Sequence, residues 1–172
     1  MKDYRHNKHK HLLILICFFT NGVFAQIKNP DFKLMLDNIY EHKIPLISVE
    51  EFIKMSKYSV YVLDTREKEE FKVSHLKNAR NIGYFWFDMR VIYDIPLNAP
   101  IIIYCSIGNR SEKIAEKLLD AGYKNVHNLY GGIFEWVNEG QPVYKENGVQ
   151  TSEIHTFNKD WAYWIGKGTK IY

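Results

Sequence analysis

Cysteine is scarce in this sequence of 172 residues, which contains only Cys17 and Cys105. A disulfide exchange protein normally needs a second cysteine close to the first. The segment around Cys105 offers none. The scarcity therefore argues against disulfide chemistry within the chain and leaves Cys105 as a single thiol whose purpose needs an explanation.

Most of the chain also has no net charge. The formal net charge is +3, but this excess lies entirely in residues 1–25, where Lys2, Arg5, Lys8 and Lys10 are offset only by Asp3. The remaining residues contain as many acidic as basic side chains. Nucleic acid binding requires a basic surface, so the composition gives no argument for a nucleic acid partner.

Long apolar runs are absent as well. The stretch LLILICFF at 12–19 is far shorter than the roughly 20 residues of a membrane span. It lies between a basic start and the sequence TNGVFA, with Val23 and Ala25 at the small-residue positions of a cleavage site. We predict a signal peptide over residues 1–25, export to the periplasm or secretion, and no membrane span after cleavage. A retained amphipathic anchor or buried helix is the alternative.

Export would remove Cys17 and leave Cys105 unpaired, and an unpaired cysteine in an exported protein is a candidate reactive thiol. Residues 26–43 predict an N-terminal helix, with Asn29 as N-cap and Pro30 at the first helical position. Ser48 and Glu51 have the spacing of a capping box, which predicts the start of a second helix. Strand and helix patterns alternate over residues 44–143, which predicts an α/β domain built on a mostly parallel sheet. Residues 144–172 form an aromatic-rich extension that we expect to pack on this domain.

Cys105 ends APIIIYC, the segment of the chain that most strongly predicts a strand. Ligand sites of parallel sheets lie beyond the carboxyl ends of their strands. A helix is predicted to begin near Ser111, and its free N–H groups favour anions, while Gly108 permits a tight turn. This field favours the thiolate of Cys105, and Arg110 adds a cation that binds oxyanions. The competing interpretation is that Cys105 is a small core residue.

The segment 45–142 resembles a single-domain rhodanese, a sulfurtransferase. Four pieces carry the resemblance, in order and at matching spacing: VLDTRE at 62–67, HLKNARNI at 75–82, IIIYCSIGNRS at 101–111 and AGYKNVHNLYGGIFEWVNEGQPV at 121–143. The resemblance implies a three-layer α/β sandwich with a central five-stranded, mostly parallel sheet and helices on both faces.

The same resemblance implies a catalytic cycle. Cys105 would take a sulfane sulfur from a donor such as thiosulfate or an organic persulfide, hold it as a persulfide, and pass it to a thiol or cyanide. No metal or organic cofactor is needed, although a thiol-reducing protein partner would keep an exported cysteine reduced. The substrate-binding residues would be those of the loop, with Arg110 on the charged end of the donor: Ser106, Ile107, Gly108, Asn109, Arg110 and Ser111.

Supporting roles also follow from the resemblance. Asp64 and Arg66 would buttress the loop as an ion pair, the alternative being a surface salt bridge. His75 is expected to form hydrogen bonds within the fold, and Trp136 is expected to be a core residue. The Gly131–Gly132 pair is predicted to be a backbone feature, because glycine permits close approach and a positive φ.

The sequence departs from the common rhodanese pattern directly after the cysteine. Ser106 and Ile107 stand where a basic residue is frequent in that family, which predicts a weaker preference for small dianions and a bulkier or less charged donor. A related cysteine phosphatase would need five residues between the cysteine and the arginine, and this loop has four. The alternative function is that of a non-catalytic binding or redox-sensing module.

The C-terminal extension contains four aromatic residues, Trp161, Tyr163, Trp164 and Tyr172. We expect them to pack on the surface of the domain. The alternatives are that they line the donor pocket, cover the active loop or form a dimer contact.

Overall fold

A computed structural model describes residues 27–41, 43–56 and 59–172 of the chain. The predicted signal peptide at 1–25 lies outside these described residues. In the described part, no helix has both the length and the apolar character that crossing a membrane demands.

Five parallel strands form the central sheet, in the order β1, β5, β4, β2, β3. Their bounds are β1 Leu46–Ile47, β2 Tyr61–Asp64, β3 Arg80–Asn81, β4 Ile101–Tyr104 and β5 Val126–Leu129. The central strand β4 is completely buried, as its unbroken apolar sequence predicts for a strand covered on both faces. The predicted α/β fold with a five-stranded sheet is confirmed.

The side chains of β4 alternate between two apolar clusters, one on each face of the sheet. Ile101 and Ile103 belong to one cluster with helix α4, whereas Ile102 and Tyr104 belong to the other. The helices that cover the sheet are α1 Pro30–Ile39, α2 Val49–Met55, α3 Lys68–Val73, α4 Asn109–Asp120 and α5 Gly132–Asn138. The three layers expected for the fold are therefore present.

Local capping signals were sufficient to predict where two of these helices begin. The side chain of Asn29 accepts hydrogen bonds from the first amides of α1, and Pro30 follows it. Ser48 and Glu51 form the reciprocal capping box at the start of α2, which satisfies amides that have no partner within the helix. These sequence predictions are confirmed.

The extension after the domain forms short strands that its sequence pattern does not reveal. Strand β6 (Val143–Tyr144) pairs with β7 (Gln150–Thr151), and β8 (Glu153–His155) pairs with β9 (Thr169–Ile171). Strands of two or three residues are too short to show periodicity. Ile154 and Ile165 are buried in the same cluster as the sheet, and Trp164 stacks on Phe32 of α1.

Candidate active site

Cys105 lies directly beyond the carboxyl end of the central strand β4, between that strand and helix α4. The residue is only 1% exposed, yet it borders a cavity of about 330 Å³. The thiol is therefore recessed below the surface and faces an open cleft large enough for a small molecule.

One backbone amide of the loop points directly at the sulfur. The N–H of Gly108 donates to Sγ of Cys105 at 3.1 Å. Gly108 has a φ of +100°, and a Cβ atom at this position would lie 1.7 Å from the hydroxyl oxygen of Tyr40. Glycine is therefore required both by the left-handed backbone and by the close approach of Tyr40.

Tyr40 sets the orientation of that same peptide group. Its hydroxyl donates to the carbonyl of Ile107 and accepts from the N–H of Gly131 at 3.1 Å. The carbonyl of Ile107 and the N–H of Gly108 belong to one planar trans peptide and point in opposite directions. By drawing the carbonyl to one side, Tyr40 turns the amide toward the sulfur of Cys105. In the sequence, Tyr40 shows only the helical spacing of an apolar face and carries no signal of this role.

Three further carbonyls of the loop also accept hydrogen bonds from groups on the side away from the cavity. Ile133 and Phe134, at the start of α5, donate their N–H groups to the carbonyls of Cys105 and Ser106 at 2.9 and 3.1 Å. The carbonyl of Gly108 accepts from the N–H of Glu112 at 3.0 Å and from Nδ2 of Asn128 at 2.9 Å. Four consecutive carbonyls are thus held away from the cavity, which leaves the amide side of the loop for the sulfur.

Gly131 and Gly132 allow this close approach of α5, as predicted. A Cβ atom on Gly132 would lie 2.4 Å from the carbonyl oxygen of Cys105 and 2.7 Å from that of Ser106. Both glycines have positive φ angles. The prediction that the pair is a backbone feature is confirmed.

Ser111 lies behind the loop and does not border the cavity. The residue is fully buried, and its hydroxyl is 2.7 Å from Oδ1 of Asn128 and 3.0 Å from the carbonyl oxygen of Gly108. Its side chain therefore supports the loop. The predicted site residues that do border the cavity are Cys105, Ser106, Ile107, Asn109 and Arg110.

Arg110 is bound by a carboxylate that the sequence analysis did not identify. Its two terminal nitrogens donate to the two carboxylate oxygens of Glu70, each at 2.7 Å, and one also donates to Oγ of Ser106 at 3.0 Å. Burial disfavours both charges, but this pairing outweighs it, so the pKa of Glu70 lies below and that of Arg110 above the ordinary value. The guanidinium of Arg110 is thus already paired with the carboxylate of Glu70 and is not a free cation.

Asp64 and Arg66 form a second pair, which lies inside the protein. Both side chains are completely buried, and Nη2 of Arg66 is 2.7 Å from Oδ2 of Asp64. The same nitrogen donates to the carbonyl of Ser74 at 2.6 Å, and the guanidinium lies over the ring of Tyr104, the last residue of β4. The pair fixes the segment after β2 next to the strand that carries Cys105.

The other residues singled out from the sequence have structural surroundings. Nδ1 of His75 is 3.1 Å from the carbonyl oxygen of Phe71, and its ring stacks on that of Phe71. Trp136 is buried and packs against Phe52. Of the tail aromatics, Trp161 borders the cavity.

A recessed thiol beyond the carboxyl end of a parallel strand, with a backbone amide that donates to its sulfur, defines a class of cysteine proteins that can stabilise an anionic sulfur. Comparison with known proteins narrows the class. A family model described as Rhodanese-like domain matches residues 48–139, more than half of the chain. The chain belongs to this family, as its sequence motifs predicted.

Individual relatives agree with this assignment. A sulfurtransferase from Allochromatium vinosum is 30% identical over 89 residues, which cover 52% of this chain and 82% of that protein. The adenylyltransferase and sulfurtransferase UBA4 of Meyerozyma guilliermondii is 33% identical over 100 residues, covering 54% of this chain. The chain spans only 24% of the length of that protein.

Among solved structures, a rhodanese-related protein from Thermoplasma volcanium matches with a TM-score of 0.52 and 30% identity. The match covers 59% of this chain and 99% of that one. Together the relatives support sulfur transfer as the general chemistry of the family to which this chain belongs. Residues 144–172 lie beyond the family match.

Proposed function

We propose that this protein is an exported sulfurtransferase that carries a sulfane sulfur on Cys105 as a persulfide. The donor would be thiosulfate or an organic persulfide, and the acceptor a thiol or cyanide. The observation that carries the proposal is the amide of Gly108 aimed at Sγ of Cys105 at 3.1 Å. A hydrogen bond of this kind is strongest when the acceptor carries a negative charge, as a thiolate or a persulfide does.

The transfer proceeds in two displacements. In the first, the thiolate of Cys105 attacks the outer sulfur of the donor, and a new S–S bond forms as the old one breaks. The leaving group, sulfite in the case of thiosulfate, departs with the electron pair of the broken bond. In the second, a thiolate or cyanide attacks the terminal sulfur and regenerates the Cys105 thiolate. Electrons balance in each step without an external oxidant or reductant.

The cavity supports this cycle because the second sulfur needs space beside Cys105. The recessed thiol borders about 330 Å³ of open volume, so a persulfide can extend into it without displacing the core. Burial of Cys105 itself, which is only 1% exposed, strengthens the hydrogen bond that holds the anion. The same recess would shield the persulfide from adventitious thiols.

Intact-mass measurement on the reduced protein tests the proposal. Mixing with thiosulfate or an organic sulfane donor is expected to add the mass of one sulfur atom, and addition of cyanide is expected to remove it. Cys105→Ser, which changes one atom, should abolish the gain. A protein that gains no sulfur from any donor would instead be a binding or redox-sensing module, and hydrolysis of p-nitrophenyl phosphate would indicate a phosphatase.

Export rests on residues 1–25, whose basic start, short apolar run and Val23–Ala25 ending support a cleaved signal. The test is mass spectrometry of the N-terminus after expression of the full chain. A mature protein that begins at Gln26 and is recovered outside the cytoplasm agrees with the proposal. Retention of residues 1–25 would contradict it. In an oxidising compartment, the lone Cys105 would also require a reducing protein partner.

A further inference from the structure

The outer wall of the Cys105 cavity comes from the C-terminal extension. The loop contributes one side of the cavity, and Ile39 of α1 and Phe85 contribute two more contacts. Phe157 and Trp161 line the remaining side, with Phe157 itself 57% exposed. Both of these aromatic residues lie beyond residues 48–139, the part of the chain that matches the family. The donor therefore meets side chains that the family domain itself does not supply.

Phe157 is placed over the site by an ordered turn. Its φ of +68° lies in the left-handed region, which is unfavourable for a residue with a side chain. Its N–H donates to Nδ1 of His155 at 3.1 Å. The N–H and hydroxyl of the intervening Thr156 both reach the carbonyl of Ile171, at 2.8 and 3.2 Å. The extension thus accepts a strained conformation at the residue that faces the loop.

Charge in the cavity is already neutralised. Among the described residues that border it, Arg110 carries the single positive charge, and both of its terminal nitrogens are bound by Glu70. The ring of Phe157 covers one face of this guanidinium, with 5.9 Å between Cζ and the ring centroid. A small dianion would have to leave water without gaining a free cation, which is unfavourable.

We infer that Phe157 and Trp161 determine donor specificity, and that the cavity selects sulfane donors whose sulfur is attached to an apolar aryl or alkyl group. This inference rests on the proposed sulfur transfer and specifies its substrate class. The volume of about 330 Å³ lies at the lower end of small-molecule sites, about 300 to 1,000 Å³, and suits a body of about one ring. Its walls, apart from the loop, are apolar: Ile39, Phe85, Phe157 and Trp161.

Two thiosulfonates that differ only in their apolar group test the inference. Benzenethiosulfonate and methanethiosulfonate share the same singly charged head. In each case the Cys105 thiolate attacks the terminal sulfur, the S–S bond of the donor breaks, and the sulfinate departs with the electron pair. The rate of sulfur gain by intact mass gives kcat/KM for persulfide formation, with thiosulfate as a third donor.

The wild-type protein is expected to react at least about tenfold faster with benzenethiosulfonate than with methanethiosulfonate, and slowest with thiosulfate. Phe157→Ala and Trp161→Ala should each remove most of this preference, chiefly by slowing the reaction with benzenethiosulfonate. Phe157→Leu, which keeps an apolar side chain at the same φ, should retain part of it. Tyr163→Ala is the matched control, because Tyr163 is 73% exposed in the same extension and does not border the cavity.

The outcomes separate the inference from the function on which it rests. Equal rates with the two thiosulfonates, a clear preference for thiosulfate, or an equal effect of Tyr163→Ala would overturn donor selection while leaving sulfur transfer intact. Absence of persulfide with all three donors would overturn both. The thermal unfolding temperatures of Phe157→Leu and Trp161→Ala should equal that of the wild-type protein. A loss of donor preference in these variants then cannot be attributed to a loss of folded protein.

Discussion

The hydroxyl oxygen of Tyr40 is a single atom on which the conformation of the active loop depends. It is buried, and it binds the carbonyl of Ile107 and the N–H of Gly131. Burial raises the pKa of Tyr40 well above its ordinary value, so the phenol keeps its proton and remains a donor throughout the working range of pH. Tyr40→Phe removes only this oxygen and leaves the ring in contact with Tyr130.

The expected magnitude follows from the groups that the substitution leaves behind. A buried polar group without a partner costs about 1 to 3 kcal/mol, and Tyr40→Phe creates two, so the free energy of unfolding should fall by about 2 to 6 kcal/mol. Without this hydroxyl, the peptide that joins Ile107 to Gly108 should be freer to rotate. Loss of its hydrogen bond to the sulfur should slow persulfide formation by about tenfold or more, since charge-assisted bonds are worth about 1.5 to 3 kcal/mol.

Tyr123→Phe provides the matched control. The hydroxyl of Tyr123 is also buried and donates to one backbone carbonyl, that of Ile92, at 2.9 Å, far from the loop. The free energy of unfolding of this variant should fall by about 1 to 3 kcal/mol, and its rate of sulfur gain should be unchanged. Urea unfolding and the rate of sulfur gain on both variants form the assay. If Tyr40→Phe transfers sulfur as fast as Tyr123→Phe, Tyr40 does not orient the amide and the reasoning is refuted.

Three further predictions concern the support of the site and the stability of the fold. Gly132→Ala should abolish sulfur transfer, because its Cβ would meet loop carbonyls at 2.4 and 2.7 Å, whereas Gly148→Ala, with the same sign of φ and open space, should be active in the same rate assay. Asp64→Asn should lower the unfolding free energy by about 3 to 5 kcal/mol in urea, because it leaves the buried Arg66 charge uncompensated. Burial raises the pKa of Glu135 from 4.5 to about 7. The folded state therefore holds the proton more tightly than the unfolded state, so stability should fall as the pH rises between these values. Glu135→Gln should remove this dependence and be more stable than wild type at pH 8, by at most about 3 kcal/mol.

The elements that the sequence predicts correctly are those with local causes. The strand before Cys105 is apolar at every position, and Asn29 and Ser48 cap their helices through groups only two or three residues away. The position of Cys105 at the carboxyl end of a central strand follows from the same local patterns. Such contacts depend on neighbouring residues, which any single sequence displays.

The supports of the loop, by contrast, come from distant parts of the chain. Tyr40 is 67 residues away from Ile107, and Glu70 is 40 away from Arg110. Within its own segment, Tyr40 reads as one member of an apolar helix face and Glu70 as one charge in a solvated run. Neither has a local signal for its role, because the role exists only after the sheet has brought these segments together.

The same reasoning explains why burial of Cys105 is compatible with chemistry at its sulfur. A thiol on an exposed loop would gain solvent access, but water would compete for the amides that stabilise its anion. Here the four carbonyls of residues 105–108 are bound from behind by α4, α5, Tyr40 and Asn128, so the opposite side of the loop is fixed without help from solvent. Phe157 and Trp161 then line the space in front. The protein thus presents the sulfur to a molecule that fits the cavity. Substitutions of the groups that hold the loop carbonyls should slow the reaction with every donor. Substitutions of Phe157 or Trp161 should act mainly on the choice among donors.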